Sequence, residues 1–279
     1  MKKYLKKILE FFGIRLILKR KINKTKFKYF QLKNSVFNKT VINQNKNLKS
    51  IPIIIISFNQ LFYLKQLIDF LKKHDYNNII IIDNNSTFKP LLEYFDEIES
   101  IATIHRLKEN YGHLVFWKFK ELYDKYSKGY YVVTDADINP ISDCPSDFLR
   151  YFKKILDGDY KITKVGFSLK IDDIPNSNIN KEKIINWESK FWRHCTTDGN
   201  FIAGLDTTFA LYRPKYKYNE TLFLRACRTK YPYIAKHGGW YVDTDNLTDE
   251  QKFYLENCNE SSSWRINKNG ELLKSEYNS

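Results

Sequence analysis

From residue 51 onwards, short apolar runs alternate with stretches in which apolar side chains recur at helical spacing. The runs 53–56 and 79–82 are each four consecutive isoleucines, which is typical of strands buried on both faces of a sheet. Between them, a helical face is marked by Leu61, Leu64, Leu67, Ile68 and Leu71. This alternation predicts an α/β fold, a mostly parallel sheet flanked by helices in which the first two strands lie parallel.

The same patterns predict the remaining elements. Further strands are expected at 101–105, 130–134, 165–171 and 207–212. Further helices are expected at 90–98, 113–126, 148–156, 181–193 and 249–257, the last with the Thr248 hydroxyl as its N-terminal cap.

Polar residues follow each of the first four predicted strands. They are Ser57 and Asn59, then Asp83 and Asn85, then Asn110 and Gly112, and finally Asp135 and Asp137. Ligands of open α/β sheets bind beyond the carboxyl ends of the strands. We therefore expect these strand ends to converge on one rim.

The triplet Asp135-Ala136-Asp137 places two carboxylates on the same side of an extended backbone, because side chains two residues apart share a face. Hard oxygen ligands of this kind suit Mg²⁺ or Mn²⁺, which often bridges to substrate phosphates. A single triplet could also be a solvated loop. Its position directly after a buried strand favours the metal site.

The four motifs in this order resemble those of nucleotide-diphospho-sugar glycosyltransferases of the GT-A fold, a Rossmann-like α/β architecture, and most closely the bacterial family-two type. The similarity covers about residues 51–265. It implies that Asp83 binds the base or ribose of a sugar nucleotide and that Asp137 is the principal metal ligand. Asp135 would lie near ribose or metal. The nucleotide pocket would be completed by Ser57, Asn59, Asn85, Asn110 and Gly112.

Candidates for other roles lie further along the chain. The resemblance implies a late histidine as third metal ligand, and His237 in His237-Gly238-Gly239-Trp240 matches that place; a hydrogen-bonded surface histidine is the alternative. A general base is needed if the transfer inverts the anomeric centre, and Asp206 is the first choice and Glu188 the second. The chain lacks the Gln-x-x-Arg-Trp motif that many family members carry. The leaving diphosphate could be neutralised by Arg213, Arg225 or Arg228.

The charge is unevenly distributed. Fifteen of the 46 basic residues precede residue 51, together with a single acid, Glu10, so the net charge of +14 belongs to this segment. Apolar residues recur there at helical spacing between lysines, at Tyr4, Leu5, Ile8, Leu9, Phe12 and Leu16. The pattern predicts a basic amphipathic arm, residues 1–50 with its boundary in the Asn/Lys-rich passage 38–50, attached to one domain, residues 51–279. The arm could instead pack on the protein or be a disordered tail.

The expected location is the cytoplasm, peripheral on the inner face of the cytoplasmic membrane, with residues 1–30 on an anionic lipid surface. The four cysteines are widely spaced, which favours reduced thiols over disulfides or a zinc site. The apolar stretch is interrupted by Arg15 and lacks a cleavage site, unlike a signal peptide.

These patterns together predict a metal-dependent glycosyltransferase that uses Mn²⁺ or Mg²⁺ and a nucleotide-diphospho-sugar, preferably a UDP-sugar. Its acceptor would be a cell-surface glycan or a lipid-linked saccharide. A sugar-1-phosphate nucleotidyltransferase would need a Gly-rich phosphate loop, which Ser57-Phe58-Asn59-Gln60 does not provide. A non-catalytic basic protein that binds membrane or nucleic acid is the alternative, and the balanced charge after residue 50 counts against nucleic acid as a partner.

Overall fold

The computed structural model describes residues 2–219, 222, 224–259, 264–267 and 269–273, with side chains from residue 15 onwards. Two helices come first, α1 (Lys2–Phe37) and α2 (Lys39–Lys46). The first half of the following domain comprises β1 (Ile53–Ser57), α3 (Phe62–Lys73), β2 (Ile79–Asp83), α4 (Lys89–Glu97), β3 (Ala102–Arg106), α5 (Val115–Lys118), α6 (Lys120–Tyr126) and β4 (Tyr131–Asp135). The second half comprises β5 (Ile138–Pro140), α7 (Phe148–Gly158), β6 (Lys164–Leu169), α8 (Lys181–Ser189), β7 (Phe201–Ile202), β8 (Ala210–Tyr212), β9 (Ala226–His237) and α9 (Asp249–Asn257).

All of these strands belong to one sheet with the order β3-β2-β1-β4-β8-β6-β9-β5, and β7 pairs with β9. The first four are parallel, whereas β8 is antiparallel to both β4 and β6. The predicted α/β fold with its flanking helices is thus confirmed. The sheet is more mixed than expected, because half of the strand pairings in the described residues are antiparallel.

The isoleucine runs behave as strands buried on both faces. Ile53 and Ile55 of β1 enter one apolar core, and Ile54 and Ile56 enter the core on the opposite side of the sheet. Burial of one such side chain stabilises the fold by roughly 1.5–3 kcal/mol. Buried isoleucines therefore fix β1 and its neighbours firmly enough for their ends to form a rigid rim.

The register aligns the carboxyl ends of these strands. Ser57 of β1 lies beside Asp83 of β2, and Ile56 lies beside Asp135 of β4. The predicted convergence of strand ends at one edge is therefore present in the backbone.

Several elements differ in detail from the expectation. The helix predicted over 113–126 is divided into α5 and α6 at Phe119, which has an extended conformation. The strand predicted to begin at residue 207 begins at Ala210, after a bend in which Phe209 has a φ of 36°. The twelve-residue strand β9 was not expected, because its sequence contains Pro232 and lacks a regular alternation of apolar and polar residues.

The basic N-terminal segment is helical and contacts the domain through its later part. The Phe27 ring lies against the Arg213 guanidinium, at 4.5 Å, and the Gln31 amide donates to the carbonyl of Asp157. Gln44 of α2 is buried and exchanges two hydrogen bonds with the backbone of Tyr130. The passage 38–50 is thus packed on the sheet domain, and the limits of the two domains stay a prediction. The predicted positions from Tyr4 to Phe12 lie among residues whose side chains are not described.

Candidate active site

A cleft of about 840 Å³, its open mouth included, lies at the carboxyl ends of β1 and β4. Loops from the second half of the chain form its opposite wall. Of the site residues predicted from the sequence, the cleft is lined by Ser57, Asn110, Gly112, Asp135, Asp137, Asp206 and His237. It is not lined by Asn59, Asp83, Asn85 or Glu188.

Asp135 is held at the end of β4 by the bend that precedes β8. The Thr207 hydroxyl donates to the Asp135 carboxylate, and the Asp135 amide donates to the Thr207 carbonyl at 2.9 Å. Removal of this carboxyl from water raises its pKa well above the usual range, and the neighbouring carboxylates of Asp137 and Asp206 raise it further. A cation placed here would relieve both effects.

Asp137 lies opposite His237 across a tight turn. One carboxylate oxygen of Asp137 is 3.4 Å from Nδ1 of His237, and the Asp137 carbonyl accepts from the Gly238 amide at 2.7 Å. His237 Nδ1 accepts from the Gly239 amide at 3.2 Å, which assigns the proton of the neutral ring to Nε2. The ring also stacks on Trp240, with centroids 5.0 Å apart. His237 is therefore oriented from three sides.

Three buried polar atoms of the cleft have no hydrogen-bond partner among the described residues. They are one carboxylate oxygen of Asp206, the hydroxyl of Ser57 and Nε of Arg265. An unsatisfied buried polar group costs about 1–3 kcal/mol, so folded proteins rarely leave several in one place. A polar ligand or an ordered water that pairs with these atoms would stabilise the cleft.

The loop after β3 is shaped by side-chain hydrogen bonds. Asn110 accepts from the Gly112 amide at 2.9 Å, and Gly112 has a φ of 79°, a left-handed conformation that favours glycine. The buried Asn84 accepts from the Tyr111 amide and donates to the Gly112 carbonyl. The loop therefore presents a fixed backbone to the cleft.

The donor set fits a divalent cation that also binds substrate. The lining includes three carboxylates, those of Asp135, Asp137 and Asp206, against one guanidinium, that of Arg265. Among the residues that the structure describes, no three His, Cys, Asp or Glu side chains form a ready-made metal cage. Mg²⁺ is usually held by one or two carboxylates together with water and phosphate oxygens, which is the arrangement that this cleft offers. Metal binding by Asp135, Asp137 and His237 stays a prediction.

Two predicted nucleotide ligands instead support the fold next to the cleft. Asp83 is fully buried and accepts from the Ser86 amide and from Nε of Arg106, at 3.4 Å. Burial raises the pKa of Asp83, and these hydrogen bonds oppose the rise. Asn59 is buried and accepts from the amides of Thr87 and Phe88. Both side chains therefore fix the turn after β2.

Asn85 and Glu188 also lie outside the cleft. Asn85 is exposed in that same turn, with a φ of 67°. Glu188 is buried in an ion pair with Arg228, which also donates to the Gly204 carbonyl at 2.7 Å. Burial raises the pKa of Glu188 to about 7, and Arg228 opposes this rise. The structure does not bring Glu188 to the predicted reaction site, because its carboxylate is already bound by a guanidinium.

The arginine in the cleft is one that sequence reasoning missed. Arg213 donates to backbone carbonyls of Leu156, Asp159 and Ile162, and Arg228 pairs with Glu188, so neither lines the cleft. Arg265 lines it, next to Trp264, whose ring meets Trp240 edge to face at 5.6 Å. Nothing in the local sequence singles out Arg265, because only the return of the chain across the cleft gives it this position.

No family model matches the sequence, and no curated protein matches it. Solved structures that are similar at low identity include the following three. The mannosyltransferase PcManGT from Pyrobaculum calidifontis, in complex with GDP-Man and Mn²⁺, is 14% identical over 67% of this chain and 56% of its own, with a TM-score of 0.41. Residues 1–349 of S. aureus TarS are 15% identical over 67% of this chain and 60% of that chain, with a TM-score of 0.42.

The third structure is a cytidylyltransferase from Leptospira borgpetersenii serovar Hardjo-bovis, 12% identical over 50% of this chain and 71% of its own, with a TM-score of 0.31. The matched region thus spans little more than half of the first two chains. At this distance the function has to be inferred from the residues of the cleft.

Proposed function

We propose that this protein is a metal-dependent glycosyltransferase, which transfers a sugar from a nucleotide-diphospho-sugar to a cell-surface glycan or a lipid-linked saccharide. A UDP-sugar is the favoured donor. The proposal rests on the cleft at the strand ends, whose lining among the described residues includes three carboxylates and one guanidinium. A cleft of this charge repels a diphosphate unless a cation binds with it.

Each side of the cleft has a part in this proposal. Asp137 and Asp135 would hold Mn²⁺ or Mg²⁺, with His237 beside them. The bound metal would act as a Lewis acid that stabilises the charge of the departing diphosphate. Arg265 is the protein group available to bind the same diphosphate, since its Nε lacks a partner among the described residues. Ser57, Asn110 and Gly112 are available to the nucleoside.

Asp206 is the better candidate for the general base. Its carboxylate oxygen lines the cleft without a hydrogen-bond partner among the described residues, whereas the Glu188 carboxylate is bound to Arg228. In an inverting transfer, the acceptor hydroxyl forms the new bond to the anomeric carbon while the bond to the diphosphate breaks. The hydroxyl proton passes to the Asp206 carboxylate.

A thermal-shift and calorimetric panel tests the proposal. UDP-sugars, and GDP-mannose as bound by the Pyrobaculum enzyme, are titrated with Mn²⁺, with Mg²⁺ and with a chelator. We expect a metal-dependent rise in melting temperature with at least one nucleotide sugar, and its loss in Asp137→Asn. Absence of any shift with nucleotide and metal together would favour the non-catalytic alternative.

We also propose that α1 attaches the enzyme to an anionic membrane. Five apolar side chains, spaced four and three residues apart with Thr25 in the remaining position, share one face of α1: Leu18, Ile22, Tyr29, Leu32 and Val36. All five are more than half exposed. Phe27 and Gln31, which contact the domain, lie on the opposite face. The apolar face therefore points away from the domain, which supports contact with lipid on the cytoplasmic side.

The charge of α1 favours lipid over a second copy of the chain as the covering partner. Lys19, Arg20, Lys21, Lys24, Lys26 and Lys28 lie in the same part of the helix. Two such helices would repel each other, whereas an anionic leaflet attracts each nearby basic residue by about 1 kcal/mol. No helix among the described residues has the length and apolar content needed to cross a bilayer.

Vesicle co-sedimentation tests this attachment. The double variant Leu18→Asp/Ile22→Asp is expected to lose binding to phosphatidylglycerol vesicles. Phe62→Asp, which changes an exposed aromatic residue on the domain, is expected to keep it. Equal binding of both variants would rule out the α1 face as the lipid contact. Any truncation should stop before Phe27, since later residues pack on the domain.

A further inference from the structure

A second pocket of about 630 Å³, its mouth included, lies beside the cleft. Four residues line both spaces: Gln60, Gly239, Tyr254 and Trp264. The Tyr63 ring also lines the second pocket and lies directly against Gly238, the neighbour of the shared Gly239. A molecule that reacts in the cleft can therefore extend into this pocket.

The walls of the second pocket are largely apolar, and six of the lining residues are aliphatic. These six are Ile184 of α8, Leu255 of α9, and Val242, Leu247, Ile266 and Leu272 from the connecting and C-terminal segments. These side chains come from four separate parts of the chain. A local run of apolar residues in the sequence therefore does not reveal the pocket.

The polar residues of this pocket are largely occupied by the fold. Asn178 donates to the Trp240 carbonyl and accepts from the Asn180 amide, and Asn180 donates to the Gly270 carbonyl. Both carboxylate oxygens of Glu250 accept from the Phe62 amide, at the N-terminus of α3.

Two further polar groups of the lining are also hydrogen-bonded within the protein. The amide oxygen of Gln251 completes the capping box of α9 with Thr248. The Tyr63 hydroxyl donates to the Tyr241 carbonyl at 3.3 Å. Sugar rings require hydrogen-bond partners for their hydroxyls, and this pocket has committed most of its polar atoms elsewhere. Its chemistry suits an apolar group.

We propose that the second pocket binds the apolar aglycone of the acceptor, an alkyl or aryl group attached to the sugar that receives the new bond. The inference rests on the proposed function, since the acceptor is the substrate that must lie beside the donor. The shared lining residues put the acceptor sugar at the junction with the cleft and its apolar group against Ile184 and Leu272. An acceptor with an apolar anchor also agrees with an enzyme held at a lipid surface.

The test measures binding of methyl, butyl, octyl and phenyl β-glucosides by tryptophan fluorescence, in the presence of Mn²⁺. We expect the dissociation constant to fall roughly fourfold for each methylene that enters the pocket, as burial of a CH₂ group implies. The phenyl glucoside distinguishes an aryl from an alkyl preference. Equal affinity for the methyl and octyl compounds would overturn the proposal.

Variants that fill the pocket locate the binding. Val242→Trp and Leu247→Trp place an indole in the space, and each is expected to weaken octyl glucoside binding at least tenfold. Leu273→Trp is the matched control, because Leu273 neighbours a wall residue but is half exposed and outside the lining. If both filling variants bind octyl glucoside as tightly as the control, the glucoside binds at another surface, for example on α1, and the proposal fails.

Nucleotide-sugar thermal shifts on the same variants separate this proposal from the proposed function. A pocket-filling variant that keeps the metal-dependent thermal shift with a nucleotide sugar but loses octyl glucoside binding supports both proposals. If the nucleotide-sugar thermal shifts are retained but glucoside affinity does not depend on alkyl length, only the proposed aglycone pocket is overturned. Alkyl-dependent binding without any nucleotide shift would overturn the glycosyltransferase and leave an apolar ligand site.

Discussion

Two groups of acidic side chains in this protein have opposite surroundings. Asp135, Asp137 and Asp206 face a cleft together, and one of their oxygens has no hydrogen-bond partner among the described residues. Glu188 is buried in the second half of the domain, where its carboxylate is bound by Arg228. Within the described residues, Glu188 has a guanidinium directly bound to it, whereas the three cleft carboxylates share their space with one another.

This difference in charge pairing distinguishes acidic residues suited to binding a ligand from acidic residues that stabilise the fold. A buried charge that is paired is satisfied by the protein itself, and loss of its partner destabilises the fold. Carboxylates that are gathered without a matching positive charge repel one another, and the proposed cation would relieve that repulsion. We therefore expect substitutions in the cleft to affect activity, and substitutions in the buried pair to affect folding.

Removal of the proposed metal ligand, Asp137, is the largest expected effect. Asp137→Asn should lower sugar transfer and metal-dependent donor hydrolysis by about 10³-fold, because the Lewis acid supplies several kcal/mol to the transition state. Its free energy of unfolding should be unchanged or higher, since one of three mutually repelling carboxylates is neutralised. The measurements are initial rates with Mn²⁺ and denaturant unfolding. Transfer at the unaltered rate would contradict the assignment of this cleft.

Loss of Glu188, the buried partner of Arg228, should have the opposite effect: the stability of the fold falls, whereas nucleotide binding is kept. Glu188→Ala leaves Arg228 buried without its counter-charge and should lower the free energy of unfolding by about 3–5 kcal/mol. Metal-dependent nucleotide binding should persist below the lowered melting temperature. Glu182→Ala, an exposed position of the same helix α8, is the control and should be nearly neutral. A stable Glu188→Ala protein without transfer activity would instead support Glu188 as the base.

Lys164 connects the two groups and gives a pH test. Burial lowers its pKa to about 8, the nearby Arg228 lowers it as well, and Asp206 opposes the shift. Between pH 8 and 10.5 the unfolded chain binds a proton that the folded chain has released, so stability contributed by this residue rises with pH. The difference in unfolding free energy between wild type and Lys164→Met should grow by about 3 kcal/mol over this range.

Denaturant titrations at several pH values provide that difference, because the other titrating groups are common to both proteins and cancel. A constant difference across the range would mean that Lys164 keeps its proton in the fold and that Asp206 is more strongly paired than the cleft geometry indicates.

Substitution of the cleft arginine is the smallest expected effect. Arg265→Met should weaken binding of a nucleoside diphosphate about 10- to 100-fold, because a hydrogen bond to a charged group contributes about 1.5–3 kcal/mol, and should leave nucleoside binding unchanged. Arg225→Met is the matched control, since Arg225 is exposed and does not line the cleft. Calorimetry with UDP and uridine gives the comparison; equal losses for both ligands would exclude a role for Arg265 at the diphosphate.

The sequence was most informative where secondary structure and burial coincide. Runs of isoleucine predicted β1 and β2, and their polar ends predicted the rim on which Ser57, Asp135 and Asp137 lie. It did not predict the partners of Asp83, which occupies the expected place in the register and has a side chain that accepts from Ser86 and Arg106. Periodicity assigns a residue to a strand end, whereas neighbouring donors decide where its carboxylate points.

What the sequence by itself determined is the α/β sheet, the order of its first four strands along the chain, and the candidates Asp135, Asp137, Asp206 and His237. Only the tertiary structure decided which of these meet. The antiparallel β8 follows the bend at Thr207, which contacts Asp135, and β9 ends at His237 beside Asp137. Arg265 and the second pocket depend on the return of the C-terminal segment across the cleft. Such contacts join residues 70 or more positions apart. Packing of the whole sheet brings these residues together, and no local sequence pattern encodes that packing.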